Sequence, residues 1–178
     1  MSESIRRISS DTPEDPESTI FIQGSMGSGK TWSLGSLTPF GRVVILDPDR
    51  QARKLLRRVD IDVANLDVRE VYPVIDPSRD FSADFIECFK AMEQELFSIF
   101  QESPPPFALV IDGMTTVCED ICVNLARQIN GRNLWAKTTD KEGTSLPDRN
   151  QAKEFVLRLM RLFMAFRGHR VLCTHNEQ

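Results

Sequence analysis

The chain reads as a single α/β domain built on a mostly parallel sheet, and three observations predict this. A short apolar run, Thr19-Ile-Phe-Ile22, enters a glycine-rich turn that is followed by the helix-compatible TWSLGSL. Two later runs, Val43-Val-Ile-Leu46 and Ala108-Leu-Val-Ile111, are apolar without interruption and each meets an aspartate. Continuous hydrophobicity of that kind belongs to parallel strands covered on both faces, whereas a half-exposed strand alternates. Between and after these runs lie segments whose apolar residues recur at helical spacing.

With 178 residues and 40% hydrophobic content, the chain can bury one core but not two comfortable ones. Net charge is −4 and the pI is near 5.3, so no general basic field draws it to nucleic acid or anionic lipid, and any polyanion binding must be local. The N-terminus lacks the apolar core of a secretory signal and no stretch reaches the length of a membrane span, which predicts a cytoplasmic protein with no membrane partner. Four scattered cysteines, Cys88, Cys118, Cys122 and Cys173, are too few for a disulfide framework and read as reduced core thiols. Cys118, Cys122 and Cys173 with His175 are also of the residue types that hold zinc, although no C-x-x-C knuckle is present.

Residues 1–18 carry four acidic residues between 11 and 17 and almost no apolar ones, and so predict a mobile leader ahead of a domain over 19–178. A first strand over 19–23 leads into Gly24-Ser25-Met26-Gly27-Ser28-Gly29-Lys30-Thr31, which fits every position of G-x-x-x-x-G-K-[ST]. The chemistry explains the letters. Glycines let the backbone take positive φ and turn its N–H groups inward around a polyphosphate, while Lys30 brings a counter-charge. Thr31 offers a hydroxyl to Mg²⁺, and Trp32 continues the nucleotide contact into a helix over 30–37 that ends at Thr38-Pro39.

The strand Arg42 to Asp47 then delivers Asp47-Pro48-Asp49 to its carboxyl end, where open α/β sheets place ligands; the same triplet is also good turn composition. RQARKLLRR over 50–58 predicts a basic helix with a solvated face, or with polyanion contact. A weaker strand is expected over 68–74 and a helix over 82–101, striped by Phe85, Phe89, Met92, Leu96 and Phe100. After Pro104-Pro-Pro106, the run ending at Asp112 supplies a carboxylate able to hold Mg²⁺ through its water shell. A helix over 114–129, a loop over 130–150, an amphipathic helix over 151–166 and a strand from 170 to Thr174-His175 complete the chain.

In this order the elements resemble the RecA-like branch of P-loop ATPases, and most closely the phage nucleotide-binding (AAA-type) proteins of single-strand annealing and recombination, over residues 19–176. The resemblance implies a three-layer P-loop NTPase fold, bound ATP and Mg²⁺, ATP hydrolysis and action as a homo-oligomer. It implies that Lys30 binds phosphate, that Thr31 and Asp112 hold the metal, and that Asp49 polarises the attacking water in a position where RecA itself has Glu. It also implies that His175, or Thr174 beside it, senses the γ-phosphate from a strand between the phosphate-loop strand and the Asp112 strand. Members of this branch continue beyond that strand, so the expectation is that the chain is truncated there or that part of the core is supplied elsewhere. A histidine near the terminus with no partner is the plainer reading of His175.

RecA-like proteins carry a DNA-contacting loop where 130–150 falls. This loop holds Arg132, Lys137, Lys141 and Arg149 around Trp135, against Asp140, Glu142 and Asp148. Basic groups beside an aromatic face suit unpaired nucleic acid, whose phosphates they neutralise and whose bases stack. Replacing Trp135 and Lys137 together by Ala is expected to weaken binding of single-stranded DNA and to flatten its log–log salt dependence by roughly 0.7, one phosphate contact fewer. Fluorescence anisotropy at two salt concentrations checks both effects.

Overall fold

A computed structural model describes residues 17–25, 27–73, 75–76, 82–131 and 146–175. The expected leader, apart from residues 17 and 18, lies outside the described residues. So do Met26 and the part of the expected DNA-contacting loop that holds Arg132, Trp135, Lys137, Asp140, Lys141 and Glu142.

The described residues form an α/β structure on one five-stranded sheet in the order β1-β7-β6-β2-β3, with every neighbouring pair parallel. Strand β1 spans Thr19–Gly24, β2 Val43–Asp47, β3 Leu66–Glu70, β6 Ala108–Asp112 and β7 His169–His175. A separate two-stranded antiparallel pair joins β4, Ile75–Asp76, to β5, Ser82–Ala83. The uninterrupted apolar runs became β2 and β6, which are buried at every position.

Alternate residues of the central strands feed two separate clusters, because successive side chains point to opposite faces. Val44, Leu46, Leu109, Ile111 and Leu172 pack with helices α2 (Phe85–Phe100), α4 (Val123–Ile129) and α5 (Leu146–Ala165). Val43, Ile45, Ala108, Val110, Val171 and Cys173 meet Leu34, Ala52 and Leu55 on the other face. Layers on both faces are what a three-layer fold requires. Strand β1 is at the edge of the sheet, with Phe21 68% exposed.

Several element boundaries moved for identifiable reasons. Helix α1 is only Lys30–Leu34 and passes into a 3-10 segment, Gly35–Phe40, that contains Pro39 and is pinned where Thr38 Oγ1 donates to the Gly35 carbonyl at 2.9 Å. The basic stretch forms a 3-10 segment, Ala52–Arg57, in place of the expected α-helix over 50–58. Ala52 and Leu55 are its buried residues, and the three-residue repeat of a 3-10 helix stacks those two positions on one edge. The third strand begins two residues before the expected 68 and ends at Glu70, with residues 71–73 outside it and Val74 outside the described residues. Helix α2 begins at Phe85 because Asp84 caps it, accepting a hydrogen bond from the Glu87 N–H at 3.0 Å.

After β6 the backbone is helical through α3 (Met114–Thr116), a π-helical turn (Val117–Cys122) and α4. Helix α5 starts five residues before the expected 151, so Asp148 and Arg149 belong to it and not to the loop. Asn130 Nδ2 donates to Asp148 Oδ1 at 2.7 Å and to Gln151 Oε1 at 3.0 Å, tying the end of α4 to the first turns of α5. No helix among the described residues is long and apolar enough to cross a membrane.

Candidate functional site

Because the five strands are parallel, their carboxyl ends share one edge of the sheet, and the residues singled out in the sequence gather there. Gly24 pairs with His175 across β1 and β7, and Asp112 pairs with Cys173 across β6 and β7. Strand β7 therefore separates the strand that enters the glycine loop from the strand that ends in Asp112.

The loop itself turns through Gly27 at φ 78° and Gly29 at φ 88°, a region that costs an L side chain strain and glycine almost nothing. Lys30 is buried, and its ammonium donates to the carbonyls of Gly24 at 2.8 Å and Ser25 at 2.9 Å. The cation is thus held over the loop that the sequence reading gave to phosphate. One residue on, Thr31 Oγ1 donates to Asp112 Oδ2 at 2.7 Å. That bond closes the loop of β1 onto the end of β6.

Asp112 is buried, and burial is the main force holding its carboxyl above the usual range. Hydrogen bonds from Thr31 and the Cys173 thiol oppose that rise, while the negative charge of Asp49 adds to it. The Cys173 thiol is pushed up to about 12, by burial first and then by Asp112. A hydroxyl and a carboxylate oxygen beside a second carboxylate are hard donors of the kind Mg²⁺ takes, so Thr31 and Asp112 fit that metal. By contrast, Cys118, Cys122, Cys173 and His175 are not assembled for zinc: among the described residues no group of three or more His, Cys, Asp or Glu side chains is placed to hold a metal ion.

The two carboxylates after β2 have separate roles. Asp47 is 0% exposed, and its oxygens accept from the backbone N–H groups of Gln51 at 3.0 Å and Ala52 at 2.8 Å. It secures the turn in which Arg50 adopts φ 56°, rare for a non-glycine residue, and it does not face the cleft. Asp49 sits at the tip of that turn and lines the cleft, with Oδ2 3.1 Å from His175 Nε2. The histidine is held in turn by its backbone N–H, which donates to Thr115 Oγ1 at 3.0 Å. So His175 has a partner, contrary to its plainer sequence reading. Its Nδ1 is buried with no hydrogen-bond partner among the described residues.

Gly113 makes room for this pair. At φ 118°, a Cβ there would lie 2.6 Å from an Asp49 carboxylate oxygen, closer than atoms tolerate. The Asp-Gly step at the end of an apolar run was a visible signal for that approach. Thr115, Tyr72 and Asp120 carried no such signal; Tyr72 and Asp120 line the cleft, and burial raises the carboxyl of Asp120. The cleft measures about 640 Å³ and is bordered by residues Gly27 to Trp32, by Pro48 to Gln51 and by Thr116 and His175. Ser25 reaches the site through its carbonyl.

Burial raises the Asp47 carboxyl to about 6, helped by the charges of Asp112 and Asp49 and opposed by its two backbone hydrogen bonds. A folded-state value above the unfolded one means that the folded state binds the proton more tightly. Ionisation of Asp47 therefore costs stability as pH rises from about 4 to about 6, on the order of 3 kcal/mol in full. Over that window, wild type is expected to lose stability relative to Asp47→Asn, which has no charge to form there. Urea unfolding of both proteins at pH 4.5 and 7 checks the sign.

No protein-family model matches the chain, and a search of curated proteins found no relative, so the reading of the site rests on its own geometry.

Proposed function

We propose that this chain is a RecA-like ATPase that binds ATP with Mg²⁺ in the cleft and hydrolyses it, working as a homo-oligomer on single-stranded DNA in phage-type recombination or annealing in the cytoplasm. The observation that carries the ATPase reading is the hydrogen bond from Thr31 to Asp112, with β7 lying between their strands. A glycine-rich turn that matched the motif by chance has no reason to meet a buried carboxylate at the end of a strand two places away.

In this reading the loop N–H groups and Lys30 bind the polyphosphate, the ammonium exchanging its two carbonyl partners for phosphate oxygens. Thr31 and Asp112 hold Mg²⁺, which when bound offsets the charge on the phosphates. Asp49 orients a water for attack on the γ-phosphorus and takes its proton, a role suited to a carboxylate on the cleft wall. His175 fixes the Asp49 rotamer through Nε2 and, from the end of β7, can register the γ-phosphate. The DNA role draws on the family resemblance and on the composition of the loop around Trp135.

Lys30→Ala is expected to lower ATP affinity at least ten-fold while the protein stays folded, since removing a charge-assisted phosphate contact costs about 1.5 kcal/mol or more. Unchanged affinity in a calorimetric titration sinks the phosphate-loop reading. Asp49→Asn keeps shape and removes charge, so turnover is expected to fall about 100-fold with ATP binding retained. Phosphate release with and without single-stranded DNA, beside a screen of nucleoside acceptors, separates a DNA-stimulated ATPase from a small-molecule kinase and from a nucleotide-dependent binding module without turnover.

A further inference from the structure

Trp32 is a large aromatic residue that remains 53% exposed, yet its position is tightly determined. The Arg58 guanidinium lies over its ring at 4.6 Å from the centroid. Arg58 Nη1 donates to the Trp32 carbonyl at 2.6 Å, and Asp60 holds the other side of the guanidinium, with Nε donating to Oδ1 at 2.8 Å and Nη2 paired to Oδ2. One helical turn beyond Trp32, Gly35 leaves the space this needs: a Cβ there would lie 3.1 Å from Arg58 Nη1 and 2.8 Å from Ile61 Cγ2. The ring so fixed borders the cleft directly after Lys30 and Thr31, with Gln51, Lys54 and Leu55 also on the cleft wall.

We infer that the indole of Trp32 is the platform on which the base of a purine nucleoside triphosphate stacks, which gives the cleft a preference for nucleotides over bare polyphosphate. This rests on the reading of the cleft as a nucleotide site. Trp32 follows Lys30 and Thr31, which in that reading bind the phosphates and their Mg²⁺, so it stands where the chain of phosphates gives way to sugar and base. A stack needs a π-face held still before the ligand arrives, because ordering a loose aromatic on binding would offset the gain. Arg58 supplies that restraint, attracted to the ring by its quadrupole and neutralised by Asp60. A purely structural brace of the 52–60 segment against α1 accounts for Arg58, but not for a tryptophan left 53% exposed on the border of the cleft. Stacking energy rises with ring overlap, so purines gain more than pyrimidines.

The test compares ATP, CTP and inorganic tripolyphosphate, each with Mg²⁺, by titration calorimetry on wild type, Trp32→Ala and Trp32→Phe. Wild type is expected to bind ATP about ten-fold or more tightly than tripolyphosphate, the worth of one base–aromatic stack, with CTP between them. Trp32→Ala should erase that gap and leave tripolyphosphate affinity unchanged, while Trp32→Phe keeps most of it. Circular dichroism of the variants shows that the fold is intact. A gap that survives in Trp32→Ala overturns the stacking platform and leaves the phosphate site standing. Failure of wild type to bind either ATP or tripolyphosphate removes the phosphate site, and the platform with it.

Discussion

One hydrogen bond, from Thr31 Oγ1 to Asp112 Oδ2, ties together residues 81 positions apart, and the geometry of the cleft depends on it. It exists because β1 and β6 are not neighbours. Two strand spacings, about 10 Å, separate them, with β7 between. Across that gap the first turn of α1 brings the Thr31 hydroxyl to the carboxylate. Were β1 and β6 paired directly, the same side chains would crowd one another, and the end of β7 could not deliver His175 beside Asp49. Parallel register does the rest, since it keeps Gly24, Asp112 and His175 on one edge.

The site is rich in negative charge. Asp47, Asp112 and Asp120 all have carboxyls held above their usual range, with burial the first cause in each and the charge of Asp49 a contributor. Lys30 is the buried cation among them and is occupied by two loop carbonyls. Such a set of groups holds a divalent cation and a polyanion together more readily than either alone, because each offsets the field the other creates. In the proposed ATPase this balance gives the bound pair its affinity.

A second division of labour runs along the segment after β2. Asp47 engages both carboxylate oxygens with backbone N–H groups and so shapes a turn; Asp49 stands two residues on with its carboxylate on the cleft wall. The 3-10 segment that follows buries Ala52 and Leu55 against the sheet, and the chain then places Arg58 on Trp32. A stretch that looked like a solvated basic helix therefore supports both ends of the cleft.

From sequence alone, the parallel α/β class, the glycine loop and the role of β2 and β6 as buried strands were legible, and the family resemblance joined Thr31 to Asp112, which the fold brings within a hydrogen bond. The first three are local or periodic properties: a run of apolar residues declares burial on both faces, and glycines at fixed spacing declare a backbone shape. The residues themselves left open which of Asp47 and Asp49 faces the cleft, because Asp-Pro-Asp reads the same whichever carboxylate the turn consumes; the resemblance pointed to Asp49, and the fold sets Asp49 on the cleft wall. Tertiary structure alone gave His175 a partner and Gly113 a reason: the first depends on β7 lying against β6, the second on β2 lying against β6 so that Asp49 reaches Gly113, and both pairings join residues some sixty positions apart that no local pattern encodes. The same holds for Arg58 and Trp32, 26 residues apart in the chain and joined only when the segment after β2 folds back onto α1.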